Sequence, residues 1–160
     1  LIDGQDTSEL DETALALLRN EKVGFVFQFH YLLKEFTAQE NVALPMLRAG
    51  KLSRREAMER ATSLLDRLGM ASKAKRRANR LSGGEQQRVA VARALINNPD
   101  FILADEPSGN LDSGNAEDLH KLFLKLRNDF KKTIVIVTHN NQLAEMADRT
   151  ITIRDGMLAS

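Results

Sequence analysis

The most regular pattern of apolar and polar positions in the chain predicts an amphipathic helix that begins at Ser53. Ser53 and Glu56 have the spacing of a capping box, in which each side chain bonds a backbone N–H at the helix start. Gly69 ends the pattern, as glycine often does after a last helical turn. The apolar positions between them form one face and are Ala57, Ala61, Leu64, Leu65 and Leu68.

Short apolar runs elsewhere alternate with further helical patterns. Strands are predicted at residues 23–28, 101–105, 133–138 and 150–154. Helices are predicted at residues 7–20, 41–49, 85–97, 113–130 and 141–147. Pro45 lies inside the second of these helices and predicts an interruption or a kink. After residue 85 the alternation is typical of a parallel α/β sheet, and Asp155-Gly156 predicts a turn after the last strand.

The composition is consistent with this fold class. A chain of 160 residues with 42% hydrophobic residues is long enough for one domain, or for one domain with a sub-lobe. Aromatic residues make up only 5%, so the core must be mostly aliphatic, which suits helices packed on a parallel sheet. The absence of cysteine excludes a disulfide scaffold and a thiolate metal site, and it fits a cytoplasmic protein.

Basic residues are concentrated in the middle of the chain. The net charge is only +1, but residues 48–93 hold 13 Lys or Arg against 4 Asp or Glu. Such a block can be a solvated helical face, or it can bind an anionic ligand, a membrane surface or nucleic acid. No aromatic residues alternate with these cations, and no nucleic-acid partner is predicted. Residues 73–80 are too basic for a core and predict an exposed link.

Two glycines stand just ahead of the helix predicted at residues 85–97. Ser82 and Glu85 form a second capping box, which accounts for those two residues but not for Gly83 and Gly84. Each glycine costs about 1 kcal/mol relative to alanine inside a helix. Backbone amides without Cβ atoms at a helix N-terminus suit a phosphoryl group, and a phosphate site is our prediction here.

Three predicted strands end in side chains capable of catalysis, at the sheet edge where parallel folds bind ligands. Asp105 and Glu106 have diverging side chains, which could hold a metal ion and activate a water molecule. An acidic turn explains this pair equally well. His139 follows one strand and Gln28 ends another, and each of them taken alone is an ordinary structural residue.

The segment after Glu106 has the composition of a turn. It contains Ser108, Gly109, Asn110, Leu111 and Asp112. Asp112 could simply be the N-cap of the helix at residues 113–130. The order of all these features argues against coincidence, because a strand-end Gln, a Gly-Gly helix start, an Asp-Glu pair, a turn and a strand-end His follow one another in one chain.

In this order the features resemble the nucleotide-binding subunits of ABC transporters, and the resemblance covers essentially the whole chain. Gln28 resembles that family's Q-loop glutamine, and residues 81–85 resemble its signature motif. Residues 101–106 resemble the Walker B strand with its catalytic glutamate, and residues 108–112 resemble the D-loop. His139 resembles the switch histidine.

The resemblance implies a fold and a reaction. The implied fold is α/β and of the P-loop NTPase (RecA-like) type, with a mostly parallel sheet flanked by helices and an inserted α-helical subdomain. The expected parts are an ATPase core up to the Q-loop at residues 1–36, the helical subdomain at 37–80, and the rest of the core at 81–160. The implied reaction is hydrolysis of ATP with Mg²⁺.

The resemblance also implies roles for the site residues, in a dimer that holds two ATP molecules between its subunits. Asp105 and Gln28 would hold Mg²⁺, in part through water. Glu106 would polarise the attacking water, and His139 would stabilise the developing charge on the γ-phosphate. The D-loop would touch the opposite subunit. The signature residues would face ATP held by the other subunit, and they are Ser82, Gly83, Gly84 and Glu85.

Residues 29–36 are the expected docking site for integral membrane permease subunits. Apolar side chains cluster there in a segment otherwise expected to be exposed, although they could equally be core of the helical subdomain. These side chains are Phe29, Tyr31, Leu32, Leu33 and Phe36. Residues 25–46 and 104–113 are most similar to subunits that power lipoprotein release, peripherally on the cytoplasmic face of the inner membrane. Related export ATPases and cell-division ATPases are the alternatives.

One motif of the family is missing. A Walker A loop needs G-x-x-x-x-G-K-[ST], and the single Gly-Lys pair, Gly50-Lys51, is followed by Leu52. Because the sequence begins at Leu1, we expect a fragment that lacks the N-terminal several dozen residues and hydrolyses no ATP by itself. Its sheet would leave apolar edges open, through which two copies could associate.

Two other classes of protein share parts of this pattern. Chromosome and DNA-repair ATPases carry the same signature and Walker B motifs, with long coiled coils inserted between Q-loop and signature. Here only 53 positions separate Gln28 from Leu81, and Pro45, Gly50 and Gly69 break any heptad pattern. The second class is a non-catalytic interaction module. Co-purification of membrane subunits, a division partner or DNA would distinguish these possibilities.

Overall fold

The structure is a computed structural model that describes residues 2, 4 and 6–159. Residues 1, 3 and 5 of the predicted first part and residue 160 of the predicted last part lie outside the described residues. The helices are α1 (Glu12–Lys22), α2 (Ala38–Ala49), α3 (Arg54–Arg67), α4 (Gly83–Leu95), α5 (Ser113–Phe130) and α6 (Asn141–Glu145). The strands are β1 (Val23–Phe27), β2 (Phe101–Asp105), β3 (Thr133–Val137), β4 (Thr152–Arg154) and β5 (Met157–Ala159).

Three parallel strands form the central sheet in the order β1-β2-β3, which confirms the α/β prediction for this part of the chain. The register aligns Phe27, Asp105 and Val137, so all three strands end at the same edge. The fourth predicted strand does not join this sheet. Asp155 and Gly156 take positive φ values of 50° and 77°, as a tight hairpin turn requires, and β4 therefore pairs antiparallel with β5.

One face of the sheet packs on α4 and α5, and its core continues without a break into α2 and α3. Val26, Ile102 and Ala104 supply the sheet side of this core. Burying each large aliphatic side chain contributes about 1.5–3 kcal/mol, which makes this shared core the main stabilising element. The helical side of the core includes Val42, Ala61, Leu65, Val89, Leu122 and Leu126.

The opposite face of the sheet carries apolar side chains that are partly exposed. They are Phe25, Phe27, Val135 and Val137, with exposed fractions between 37% and 62%. The rings of Phe25 and Phe27 stack with their centroids 5.9 Å apart. The exposed apolar surface described here is a face of the sheet, whereas the sequence predicted open edges, and the association of two copies through those edges stays a prediction.

Gly24 permits the close approach of β1 and α4. A Cβ at this position would lie 2.6 Å from the backbone carbonyl oxygen of Ala94 in α4 and 3.2 Å from the Pro99 ring. Because the nearest atom belongs to the backbone, a side chain could be accommodated only by moving the helix away from the strand.

We expect Gly24→Ala to lower the free energy of unfolding by about 1–3 kcal/mol, the usual cost of overpacking a core. Gly114→Ala is the matched control, because a Cβ there would meet only an Asp112 side-chain oxygen at 3.5 Å. Gly114 lies in α5, so alanine should stabilise the chain by up to about 1 kcal/mol. Equilibrium urea unfolding measures both, and equal stability of the two variants would contradict this reading of Gly24.

Helix α2 begins earlier than predicted and is not interrupted. It starts at Ala38, three residues before the predicted start, because Thr37 and Glu40 form a capping box. Pro45 lies inside the helix, so the interruption is absent, and the alternative of a kink stays a prediction. The Asn20 side chain donates a hydrogen bond of 2.9 Å to the Pro45 carbonyl, and the buried face of α2 holds the helix against the core.

The ends of the other helices follow their capping side chains. Helix α3 is confirmed, with Ser53 as its N-cap and Gly69 at a φ of 73° beyond its end. Helix α1 begins five residues later than predicted because Asp11 caps it, while Ser8 bonds Asp6 instead. Helix α4 begins two residues earlier, at Gly83, and α6 ends two residues before its predicted end.

The basic segment at residues 73–80 is more ordered than the predicted exposed link. Ala74 and Ala78 are buried, and two 3₁₀ turns, Ala71–Lys73 and Ala78–Arg80, flank its middle. Its backbone is bonded to the start of α2 and to the loop before it. The predicted exposure is confirmed for most of the segment, including four of its five cations, and only the two small alanines are buried. In the described part of the chain, no helix is long and apolar enough to cross a membrane.

Candidate functional site

The carboxyl ends of the parallel strands bring four predicted site residues to one edge of the sheet. Asp105 is the last residue of β2 and has an exposed side chain. Gln28 follows β1, Glu106 follows β2, and His139 lies two residues beyond β3. Because the strands run side by side in register, residues 111 positions apart in the sequence reach one cluster.

Glu106 and His139 are joined directly. One carboxylate oxygen, Oε1, accepts the backbone N–H of His139 at 2.8 Å and lies 2.7 Å from its ring Nδ1. The other, Oε2, accepts the hydroxyl of Thr138 at 3.1 Å. The Glu106 side chain is 21% exposed and that of His139 85% exposed. The carboxylate is therefore held in place while the imidazole ring remains open to a ligand.

The backbone of Glu106 is strained in a way that supports this position. Its φ of 41° is uncommon for any residue other than glycine. Its N–H donates to the Val137 carbonyl at 2.9 Å, and its own carbonyl accepts the Gly109 N–H at 3.0 Å. These bonds hold the chain in a sparsely populated conformation, which is common at functional sites.

Gln28 is tied to the turn after Glu106. Its Nε2 donates to Asn110 Oδ1 at 3.0 Å, and Asn110 Nδ2 donates back to the Gln28 carbonyl at 3.3 Å. Gly109 makes room for this pair, since a Cβ there would lie 2.8 Å from Gln28 Nε2. The amide NH₂ group is used in this contact, which leaves the side-chain carbonyl oxygen of Gln28 to bind a metal ion or water.

The remaining turn residues serve the local structure. Asp112 caps α5 by accepting the Asn115 N–H at 3.0 Å, so the N-cap role considered for it is present. Ser108 is buried, with its Oγ 3.4 Å from Nε2 of His120. Burial lowers the pKa of His120 below its ordinary value, which favours the neutral ring near neutral pH.

Ser82 and Glu85 form the capping box predicted for α4. Ser82 Oγ accepts the Glu85 N–H at 3.3 Å, and the Glu85 carboxylate accepts the Ser82 N–H at 2.9 Å. Glu85 also pairs with Lys73 at 2.7 Å, and this hydrogen bond is the main reason that its pKa lies below the usual value. Both side chains are thus engaged at the start of α4.

The two glycines of this helix start have different surroundings. A Cβ at Gly84 would overlap Asn115 Oδ1 and lie 2.7 Å from Asn115 Cγ, so any side chain there would have to displace the Asn115 side chain of α5. A Cβ at Gly83 would meet only Leu111 Cδ2, at 3.8 Å. Packing thus gives a reason for glycine at position 84 and none at position 83, and the phosphate site at both glycines stays a prediction. In the described part of the chain, no hydrogen bond joins these signature residues to Glu106 or His139.

We expect Gly84→Ala to lower the free energy of unfolding by about 1–3 kcal/mol, because the new methyl group displaces Asn115 and loosens α4 from α5. Gly83→Ala should leave stability unchanged or raise it by up to about 1 kcal/mol, since alanine favours the helix. Thermal and urea unfolding distinguish these outcomes. Similar losses in both variants would mean that the two glycines share one structural role.

Sequence reasoning missed Gln87, a buried polar residue of α4. Its Nε2 donates to the Pro107 carbonyl at 2.7 Å and to the Phe27 carbonyl at 3.5 Å. These two carbonyls lie next to Glu106 and Gln28, so Gln87 fixes both strand ends from the side of α4. It could have been found as a glutamine among the buried positions of an amphipathic helix.

Sequence reasoning also missed how the apolar segment at residues 29–36 is held. Arg93 of α4 donates to the carbonyls of His30 and Tyr31, both at 2.7 Å. Asn41, fully buried in α2, accepts the Leu33 N–H at 2.8 Å and donates to the Leu33 carbonyl at 3.0 Å. Polar side chains reaching from two helices therefore shape this loop.

The apolar side chains of this loop point mostly to solvent. Leu32 is the exception, because it is partly buried and packs against the core. The alternative that these apolar side chains belong to the core of the helical subdomain is therefore confirmed for Leu32. The others have exposed fractions between 38% and 67%, and they are Phe29, Tyr31, Leu33 and Phe36.

The strand ends offer the oxygen ligands that Mg²⁺ prefers. Asp105 pairs in register with Phe27, the residue before Gln28, so the carboxylate and the amide lie on neighbouring strands. Among the residues that the structure describes, no group of three or more His, Cys, Asp or Glu side chains could hold a metal ion. Asp105 and Gln28 therefore fit a Mg²⁺ ion that takes further ligands from phosphate and water.

Known proteins resemble this chain in sequence and in structure. A sequence profile of the ABC transporter family matches residues 1–109. The lipoprotein-releasing system ATP-binding protein LolD of Bacteroides fragilis is 57% identical over 155 residues, which are 97% of this chain and 71% of that protein. The macrolide export ATP-binding/permease protein MacB of a Shewanella species is 51% identical over 159 residues, which are 99% of this chain and 24% of MacB.

A solved structure extends the comparison to the fold. It is the dimer of the ATP-binding cassette MJ0796 in a post-hydrolysis state, bound to ADP and Pi. Its TM-score is 0.85 at 42% sequence identity, over 99% of this chain and 70% of that chain.

Proposed function

Because the chain belongs to the ABC transporter family as an ATP-hydrolysing subunit, we propose that it powers the release of lipoproteins from the inner membrane, on the cytoplasmic face. The observation that carries the ATPase role is the Glu106 carboxylate, fixed by Thr138 and His139 at the edge of the parallel sheet. The lipoprotein role is supported by the 57% identity with LolD.

Glu106 is the residue that we assign to the attacking water. Its carboxylate is oriented by hydrogen bonds to Thr138 and to the backbone of His139, so it can accept a proton from a water without first rearranging. The largely exposed His139 ring lies beside it and can donate a hydrogen bond to a γ-phosphate oxygen as negative charge develops. Together they would orient the water and stabilise the transition state.

Asp105 and Gln28 would hold Mg²⁺ beside the water-activating carboxylate. When bound, the ion neutralises part of the phosphate charge. The contact of Gln28 with Asn110 ties this position to the turn at residues 108–112, which we assign to the contact with a second copy of the subunit. The open backbone at Gly83 would face ATP held by that second copy.

The exposed apolar side chains at residues 29–36 are the surface that we assign to membrane permease subunits. Phe29 and Tyr31 are 61% and 67% exposed, and their ring centroids lie 6.4 Å apart. Side chains of this kind anchor an amphipathic helix in a groove. A partner docked here would be next to Gln28, and so next to the proposed hydrolysis site.

We expect the affinity-tagged protein, purified from its own cell membranes, to retain lipoprotein-releasing permease subunits identifiable by mass spectrometry. Phe29→Ser with Tyr31→Ser should reduce their recovery by about tenfold, because apolar anchors dominate such interfaces. Ile153→Ser with Leu158→Ser is the matched control on the exposed β4-β5 hairpin and should leave recovery unchanged. Recovery of an export permease, a division partner or DNA in their place would contradict the lipoprotein assignment.

A further inference from the structure

Gln87 is a polar side chain in the second turn of α4 that has almost no contact with solvent, since its exposed fraction is 1%. Its Nε2 donates to the Pro107 carbonyl at 2.7 Å and, more weakly, to the Phe27 carbonyl at 3.5 Å. Its Oε1 is buried and has no hydrogen-bond partner among the described residues. These two carbonyls therefore set the orientation of the amide group.

Stability alone is a weak account of the Gln87 side chain. A buried acceptor without a partner costs free energy, and this cost offsets part of the stabilisation that comes from the bond to Pro107. An unsatisfied buried group in a folded protein calls for an explanation, and a part in catalysis is one of the usual ones. What the amide provides here is a fixed distance between α4 and the chain that follows β2.

The Pro107 carbonyl lies in the middle of the turn that begins at Glu106. The Gly109 N–H donates to the Glu106 carbonyl at 3.0 Å, so Pro107 and Ser108 are the two central residues of this turn. Pro107 is fully buried, and proline has no backbone N–H through which the turn could be held. Gln87 therefore anchors the middle of the turn to α4 through the Pro107 carbonyl.

This anchor matters because the backbone of Glu106 is strained. Its φ of 41° is a conformation that persists only where the surrounding contacts hold it. One restraint is the bond of its N–H to the Val137 carbonyl, and a second is the bond of its carbonyl to the Gly109 N–H. The bond from Gln87 is a third restraint, one residue further along the chain. A shift of Pro107 would therefore redirect the Glu106 carboxylate.

The same amide group also touches the end of β1. Phe27, whose carbonyl accepts the weaker bond, directly precedes Gln28. One side chain of α4 thus contacts the two chain segments that carry Gln28 and Glu106. The spacing of these two segments at the sheet edge depends in part on a single NH₂ group.

We propose that Gln87 is a positioning residue for ATP hydrolysis, which holds the Pro107 carbonyl so that the Glu106 carboxylate points at the attacking water. This inference rests on the role proposed for Glu106. Gln87 acts through the backbone and touches neither ATP nor the water. A displacement of about 1 Å at a reacting group can cost about a hundredfold in rate, whereas ATP binding does not depend on this carboxylate. Loss of Gln87 should therefore lower kcat and leave the KM for ATP unchanged.

Turnover of Gln87→Met tests the proposal in a protein that supplies the Walker A loop, with the N-terminal segment of the Bacteroides fragilis LolD joined ahead of this chain. Methionine has nearly the length of glutamine but no amide donors. We expect kcat to fall by about tenfold to a hundredfold, with the KM for ATP within about twofold of the parent value. Gln87→Leu should give the same result, because leucine also lacks the donors.

Gln39→Met is the matched control in the helical region. Gln39 is partly buried in α2, and its Nε2 donates to the Met58 carbonyl of α3 at 3.0 Å, so it too joins two segments through a side-chain amide. We expect its kcat to equal that of the parent. Urea unfolding of both variants separates a loss of kcat from a loss of stability. Equal losses of kcat in the two variants would overturn the proposal.

A double variant tests whether Gln87 acts through Glu106. Adding Gln87→Met to Glu106→Gln should lower kcat by no more than about twofold further, because the group that Gln87 positions is already absent. Losses that multiply would overturn the proposal. Parent-level turnover by Gln87→Met would also overturn it and leave the role of Glu106 intact, whereas parent-level turnover by Glu106→Gln would refute that role and this inference with it.

Discussion

Glu106→Gln is expected to lower ATP turnover by about two to four orders of magnitude, the usual contribution of a positioned general base. The measurement needs a protein that supplies the Walker A loop, so the corresponding N-terminal segment of the Bacteroides fragilis LolD would be joined ahead of this chain. The KM for ATP should change little, because the carboxylate acts on water in the transition state and not on bound ATP.

Glu117→Gln is the control for this substitution. Glu117 lies on α5, eleven residues after Glu106, and its exposed carboxylate pairs with Lys121 at 2.8 Å. It should retain the turnover of the parent protein. The chain of 160 residues by itself should show no turnover above background, since its sequence contains no Walker A loop. Turnover by the Glu106→Gln protein at half the parent rate would refute the assigned role.

Asn41→Leu is expected to destabilise the chain by about 2–4 kcal/mol despite the similar size of the two side chains. Asn41 is fully buried, and it satisfies both the N–H and the carbonyl of Leu33. It also donates to the carbonyls of Phe36 and Thr37. Leucine fills the space but removes these hydrogen bonds and leaves the Leu33 N–H without its partner, although the carbonyls of Leu33, Phe36 and Thr37 each keep one backbone donor.

Equilibrium urea unfolding measures the effect of Asn41→Leu, and limited proteolysis locates it. New cleavage sites should appear at residues 29–37, because the loop loses its anchor to α2. Asn128→Leu is the control at an exposed position of α5 and should change stability by no more than about 0.5 kcal/mol. An unchanged cleavage pattern together with unchanged stability would mean that Asn41 does not anchor the loop.

The sheet and its functional edge could be predicted from the sequence because both depend on local patterns. Apolar runs of strand length ended at Gln28, at Asp105 with Glu106, and just before His139. The parallel arrangement then required their side chains to meet at one edge. The capping boxes at Ser53 and Ser82 were also predictable, although the predicted start of α4 lay two residues too late.

Features that depend on contacts between distant segments could not be predicted in this way. Gly84 was predicted as part of a phosphate site, and only the folded chain shows that it also packs closely against Asn115. Gln87 and Asn41 looked like ordinary polar residues of helices, and only the folded chain shows which backbone groups they satisfy. The hairpin of β4 and β5 was missed because periodicity reveals a strand and not its pairing partner.

Helix α4 is one rigid element that serves a different purpose at each of three positions along its length. Its first turn presents Gly83, its middle holds the strand ends through Gln87, and near its far end Arg93 holds the carbonyls of His30 and Tyr31. Gly83 and Arg93 are ten residues apart, which corresponds to about 15 Å along the helix axis. A tilt of α4 that moves Gly83 would therefore also move the loop that carries His30 and Tyr31, because the helix has no hinge between Gly83 and Arg93.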